Sequence, residues 1–360
     1  SHRAYTADAG KSAVRASAGP LGAPGWTTAG GAELTVFLGL GFCAPLSNGL
    51  EAVGKLRSGR SEKYRSSPRY CLNDSGRRRR VGEDMADRIF DTGTDDISTE
   101  VTDGVMTITL NRPKRRNAMS NPMLQGLVGS LADAEVASDV GAVVLTGAGG
   151  AFCAGGDVKG MAEAGGEGGN SPQQYDARVH LQRRNQRDTA GKLYELPKPT
   201  LAALPGPAAG AGLSLALSCD LRYASPNAIM TTAFARVGFS GDYGGTYFMS
   251  RLIGSAKARE LYLLSEKVDM VEAERLGLVN GVFPEESLQD DVHAIAKRLA
   301  EGPTVAYRYM KENLNRAVNG EMGECLDMEA AHHIHCGQTR DHREAAQAFV
   351  EKREPVFEGR

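Results

Sequence analysis

A chain of 360 residues, 41% hydrophobic and 24% charged, is long enough for a large core and for more than one domain. A net charge of −2 gives no global reason to expect nucleic acid, and no apolar run reaches the roughly 18–20 residues of a membrane span. Six scattered cysteines without a CxxC pair argue against a zinc ribbon or a disulfide framework and fit a reducing cytoplasm.

Residues 1–84 differ from the rest. They hold 13 Lys and Arg against 7 Asp and Glu, and they lack a sustained helical or strand period. Such a stretch cannot bury enough apolar surface to order itself, so it reads as a disordered or non-native extension, with Met85 as the natural start. The run Arg77–Arg80 has no interleaved aromatics and reads as a solvated basic linker rather than a nucleic-acid patch. Leu34–Leu46 has the character of a signal h-region but neither its position nor its cleavage site.

Regular patterning begins at Ile97. VTDGVMTITL (101–110) predicts a hairpin turning at Asp103-Gly104. Ser120 followed by Pro122 opens a helix to Ala137. Gly141–Thr146 predicts a buried strand. Ala151–Asp157 predicts a glycine turn, Val158–Ala164 a short helix and Gly165–Ser171 a mobile loop. Helix is expected over Tyr175–Leu196 and strand over Pro199–Leu204. Next come the Gly206–Gly212 loop with a buried helix, and a strand at Leu221–Ala224. Helices are expected over Arg251–Leu264 and Val271–Leu276, a strand over Val279–Phe283, and two or three helices at the end. Repeated strand–loop–helix units imply an α/β architecture.

Two stretches suggest chemistry. GPAAGAGLSLALSCD (206–220) is a tight glycine loop feeding an apolar helix, whose first N–H groups are unpaired and can hold a developing negative oxygen. FARVGFSGDYGGT (234–246) sets one carboxylate, Asp242, among glycines in an otherwise apolar segment. Together they suit proton transfer beside a carbonyl. The alternative for Asp242 is a turn or helix-capping residue before Gly244-Gly245. Cys153 has no histidine close in sequence and reads as a packed thiol. The spacing of His332, His333 and His335 puts only two on one helical face, which reads as helical surface rather than a metal site.

In order, NRPKRRNAMS (111–120), VVLTGAGGAFCAGGDVK (143–159), LPKPTLAALPGPAAGAG (196–212), LALSCDLRYAS (215–225), VGFSGDYGGT (237–246), ERLGLVNGVFP (274–284) and AFVEKREPVF (348–357) resemble the enoyl-CoA hydratase/isomerase, or crotonase, family. The likeness covers about Ile97 to Phe357. It implies a crotonase-like spiral of ββα units over 85–285, and a C-terminal helical trimerisation region over 286–360 that gives a homotrimer or dimer of trimers. It also implies an acyl-CoA thioester substrate, coenzyme A present only as part of that substrate, and no metal, while charge and hydropathy argue for no nucleic acid and no membrane. By the same resemblance the oxyanion hole falls on the N–H groups of Gly156 and Ala211. CoA contacts fall on Arg116, Ala154 and Lys159, and Phe349 and Lys352 reach a neighbouring subunit's ligand.

The departures from the family pattern decide the expected reaction. The two glutamates of the hydratase pattern correspond to Ser214 and Phe234, neither of which can replace a carboxylate. Asp242 matches the aspartate that isomerases of the family use as a base and dehalogenases use as a nucleophile. No histidine stands near Arg187, and Phe234 replaces the dehalogenase tryptophan. The resemblance therefore implies double-bond isomerisation with Asp242 as acid/base. The alternatives are a hydratase or hydrolase with altered acid/base residues, or a non-catalytic acyl-CoA binder. Asp188 and Glu195 are candidates for a second carboxylate, and Tyr243 for a hydrogen-bond donor.

Overall fold

The structure, a computed structural model, describes residues 87–163 and 171–360. The readings of residues 1–84, of Met85 and of most of the Gly165–Ser171 loop lie outside the described residues.

Strand β1 (Arg88–Phe90), which carried no sequence signal, leads into the hairpin of β2 (Ile97–Thr102) and β3 (Val105–Leu110). The hairpin turns at Asp103-Gly104 as the sequence predicts. Alternate residues of β2 are buried, as in a strand with one face on the core. Helix α1 (Asn121–Val136) follows, with the Ser120 hydroxyl accepting the Met123 N–H as an N-cap. It returns the chain to β4 (Ala142–Gly147).

All of β4 and of β5 (Thr200–Leu204) is buried, because helices cover both faces of this parallel part of the sheet. The chain between them holds α2 (Val158–Glu163), α3 (Pro172–Gln186), a π-turn (Arg187–Gly191) and α4 (Lys192–Glu195). The single helix expected from Tyr175 starts earlier because Ser171 caps it, and the π-turn divides it.

Beyond β5 come β6 (Ala208–Ala209), α5 (Ala211–Ser218), β7 (Leu221–Ala224), β8 (Met230–Thr231), α6 (Gly245–Ile253), α7 (Ser255–Leu264), α8 (Met270–Leu276) and β9 (Gly281–Val282). The main sheet runs β1-β2-β3-β4-β5-β7-β9, antiparallel as far as β3 and parallel beyond. The short strands β6 and β8 pair separately. The helix expected over Arg251–Leu264 is two helices, α6 and α7. They break at Gly254, whose φ of 79° lies outside the helical range, and the first turn of α6 lies six residues earlier than the apolar spacing suggests.

Four helices close the chain, not two or three: α9 (Leu288–Ala300), α10 (Thr304–Ala317), α11 (Met322–Gly337) and α12 (Arg340–Glu351). Leu288, Val292 and Ala296 of α9 pack with Val105, Ala142, Val144, Leu201 and Ala203 on one face of the sheet. The larger core fills the other face. Lys311 anchors α10: its buried ammonium donates to Asp220 Oδ2 at 2.8 Å and to the Leu193 and Lys198 carbonyls at 3.0 and 3.2 Å. A buried cation is tolerable only with its hydrogen bonds satisfied in this way. No helix among the described residues is long and apolar enough to cross a membrane.

Candidate functional site

The site grows from two glycine turns pressed together. The first follows β4. A Cβ on Gly155 would lie 2.8 Å from the Ala209 carbonyl oxygen and 3.2 Å from the Ala211 nitrogen, so no side chain fits between the turns. One on Gly212 would lie 2.4 Å from the Cys153 carbonyl oxygen. The Ala209 N–H donates to that oxygen at 2.9 Å, locking the turns in register. Gly210 has φ 54° and ψ −127°, a conformation that suits glycine, and swings the chain from β6 into α5. Ala211 is therefore the first residue of a buried helix. Neither its N–H nor that of Gly156 has an acceptor among the described residues.

Asn117 explains the NRPKRRNAMS motif. It is fully buried, and its amide nitrogen donates to the carbonyls of Ala148, Ala151 and Phe152 at 2.9, 2.8 and 3.3 Å. Its oxygen accepts the Arg112 N–H at 2.8 Å. Arg112 in turn pairs with Asp157 at 3.1 Å. The Gly160 N–H, and after it Arg112, hold the Asp157 carboxyl below the usual carboxylate range, so it serves as a fixed anion of the turn. Asn117→Ala should leave three turn carbonyls short of a donor. We expect a loss of about 1–3 kcal/mol in denaturant unfolding, at the scale of a buried unsatisfied polar group.

Asp242 sits half-buried in a segment of unusual backbone. Gly241 has φ 113°, Tyr243 φ 49° and Gly244 φ 74°. Asp242 is the first residue of the turn that leads into α6, as the turn alternative has it, but its side chain does not cap that helix. The N-cap of α6 is Gly244, and no side chain caps that helix. Asp242 meets the helix through its backbone oxygen, which accepts the Gly245 N–H at 3.1 Å. Tyr243 is buried, and its N–H donates to Gln186 Oε1 at 2.7 Å. Burial, then the charges of Asp242 and Cys153, push its phenol well above the ordinary tyrosine range. The Asp242 segment thus lies beside the Cys153 turn. The Cys153 thiol donates to the Asn117 carbonyl at 3.0 Å, and burial pushes it up to about 12, as befits a packed thiol.

Neutral side chains stand at positions 214 and 234. Ser214 is buried, with its hydroxyl donating to the Gly210 carbonyl at 3.3 Å. Phe234 is buried and stacks on Tyr262, with ring centroids 5.9 Å apart and planes at 11°. Asp188 and Glu195 both stand exposed, and the side chain that reaches the Asp242 segment from this region is Gln186. Sequence reasoning missed Gln186 and Tyr262. For Tyr262 a signal existed, an aromatic with a polar tip beside the buried Ala258 and Leu261 of α7. For Gln186 there was none.

Of the expected CoA contacts, Arg116 and Ala154 are brought together, since the Ala154 N–H donates to the Arg116 carbonyl at 2.9 Å. Both are exposed, as is Lys159 in the first turn of α2. Phe349 and Lys352 lie exposed at the end of α12. His332 is engaged within the C-terminal helices. Its Nδ1 lies 2.6 Å from Asn313 Oδ1, and its ring stacks on Tyr309. Among the described residues no cluster of three or more His, Cys, Asp or Glu could hold a metal.

The fold and site define an α/β protein in which two unpaired turn amides and one carboxylate segment converge on a buried helix start. The chain belongs to the enoyl-CoA hydratase/isomerase family: the profile of that family matches residues 100–360. The chain is 34% identical over 264 residues to 1,2-epoxyphenylacetyl-CoA isomerase of Escherichia coli, covering 73% of this chain and 98% of the relative. It is 33% identical over 250 residues to short-chain-enoyl-CoA hydratase of Clostridium acetobutylicum, covering 69% and 92%. The crystal structure of enoyl-CoA hydratase from Bacillus anthracis superimposes with a TM-score of 0.67 at 32% identity, over 74% of this chain and all of that one. The fold is accordingly the crotonase fold, and the chain is an acyl-CoA enzyme of this family.

Proposed function

We propose that the protein shifts the double bond of an enoyl-CoA thioester. The Gly156 and Ala211 N–H groups receive the thioester oxygen as it gains enolate character. Asp242 removes a proton from one carbon of the acyl chain and returns it to another. Preorganised amide donors in a dry site stabilise such charge by several kcal/mol, since they need no reorganisation. Addition of water across the double bond conventionally uses the glutamate pair of the hydratase pattern, and positions 214 and 234 carry a buried serine and a buried phenylalanine. The observation that carries the reading is that Asp242 is the carboxylate in this segment and does not cap its helix.

Arg116, Ala154 and Lys159 would meet the CoA moiety at the mouth of the site, with Arg116 and Lys159 as charge partners for its phosphates. A homotrimer or dimer of trimers would form through residues 286–360. Met310, Leu314, Met322, Leu326 and Ile334 of α10 and α11 stand exposed, an apolar face that a second copy would cover. Phe349 and Lys352 would then reach a neighbouring subunit's ligand.

The test is a panel of trans-2-, cis-3- and 2,4-dienoyl-CoA thioesters followed by mass spectrometry and chromatography. The expected product has unchanged mass and a moved double bond. A dominant product heavier by one water would overturn the isomerase reading in favour of a hydratase. Binding of every thioester with no turnover would leave a non-catalytic binder.

A further inference from the structure

Tyr262 brackets Asp242 along the backbone. A Cβ built on Gly241 would lie 3.0 Å from Tyr262 Cε1, so the ring edge abuts the residue just before Asp242. A Cβ built on Gly245 would lie 2.3 Å from the Tyr262 hydroxyl and 2.3 Å from Ser214 Oγ. The phenol tip and the serine hydroxyl therefore meet at the residue whose N–H donates to the Asp242 carbonyl. Ser214 carries the connection onward, because its hydroxyl donates to the carbonyl of Gly210, immediately before Ala211. The Tyr262 ring is itself held by its stack on Phe234. Burial, then the charge of Asp242, push the phenol above the ordinary tyrosine range, and the nearby Ser214 opposes them. The tyrosine thus stays neutral near pH 7 and keeps its proton to donate.

We infer that Tyr262 is a positioning residue, and that Tyr262 and Ser214 form a strut fixing the spacing between the Asp242 carboxylate and the Ala211 N–H. The inference rests on the isomerase reading. Proton transfer to an acyl carbon is sensitive to small displacements, because the base and the oxyanion donors must engage one substrate at once. The strut runs from the Tyr262 side chain of α7, along the Gly245 backbone, to the Ser214 side chain of α5 and the Gly210 carbonyl. It occupies position 214, where the hydratase pattern has a catalytic carboxylate. In this chain the position serves geometry instead of proton transfer.

The test uses Tyr262→Phe, which keeps the ring and its stack, and Ser214→Ala, which removes only the other hydroxyl. Each is assayed on the dienoyl-CoA or cis-3-enoyl-CoA thioester that the wild type turns over. Each should lower kcat by about 10–100-fold, the scale of a misplaced catalytic group, with KM changed less than about threefold. The two together should cost little more than either alone, since they break one strut. Adding Tyr262→Phe to Asp242→Asn should cost nothing further, because the tyrosine acts through that carboxylate.

Wild-type kcat in both single variants would overturn the inference. So would a loss from Tyr262→Phe of equal size with and without Asp242. If Tyr262→Phe lowers the melting temperature severely, Ser214→Ala decides alone. Full activity of Asp242→Asn, or no turnover by the wild type, would overturn the isomerase reading and the strut with it. An inactive Asp242→Asn beside a fully active Tyr262→Phe and Ser214→Ala would overturn the strut only.

Discussion

Asp242→Asn is expected to lower turnover of the enoyl-CoA substrate by on the order of 10²–10⁴, the usual cost of losing a general base. Binding of the CoA thioester should stay within a small factor of wild type. Two backbone anchors of the loop are untouched by the change: the Asp242 carbonyl accepts Gly245 N–H, and Tyr243 N–H donates to Gln186. The side chain does not cap α6, so an amide in its place removes the proton acceptor and leaves the capping of that helix unchanged. Steady-state kinetics with isothermal titration of a CoA thioester checks both halves. Turnover near the wild-type rate would remove Asp242 from the mechanism.

Ala211→Pro is expected to cost about 10²–10³ in kcat, the scale of losing one oxyanion-hole donor. The substitution deletes the N–H and puts a ring carbon in its place, on a nitrogen that lies close to Gly155. Ala211 is the first residue of α5, where proline is tolerated because the helix does not use that N–H. The residue before it is Gly210, which escapes the usual steric restriction on a residue preceding proline. A control substitution of Ala211 by serine keeps the N–H and should retain most of the activity. Circular dichroism and melting would confirm that the helix survives. An unaffected kcat in the proline variant would place the thioester oxygen elsewhere.

The legibility of this chain follows the range of the forces involved. Ser120 capping α1, the Asp103-Gly104 hairpin turn and the apolar strand β4 are local, and their spacing alone locates them. The break at Gly254 was not legible, because the helical pattern expected over 251–264 spans it and a lone glycine inside such a pattern does not by itself mark an end. Strand β1 was invisible because three residues, two of them exposed, carry no period; its pairing to β2 makes it a strand. The π-turn at Arg187–Gly191 likewise leaves no mark in composition.

For the site, the sequence by itself determined the inventory. It supplied glycine turns that let two backbones meet, a helix start with unpaired amides, and Asp242 with serine and phenylalanine at positions 214 and 234. Tertiary structure alone decided how these parts are used. It showed that Asp242 does not cap its helix, that Asp188 and Glu195 stand in solvent, and that Gln186 bonds to and Tyr262 packs against the Asp242 segment from helices 57 and 20 residues away. The physical reason is that residue types and turn conformations are written locally. The direction of a carboxylate, and the partner that fixes it, depend on which distant helix packs against it.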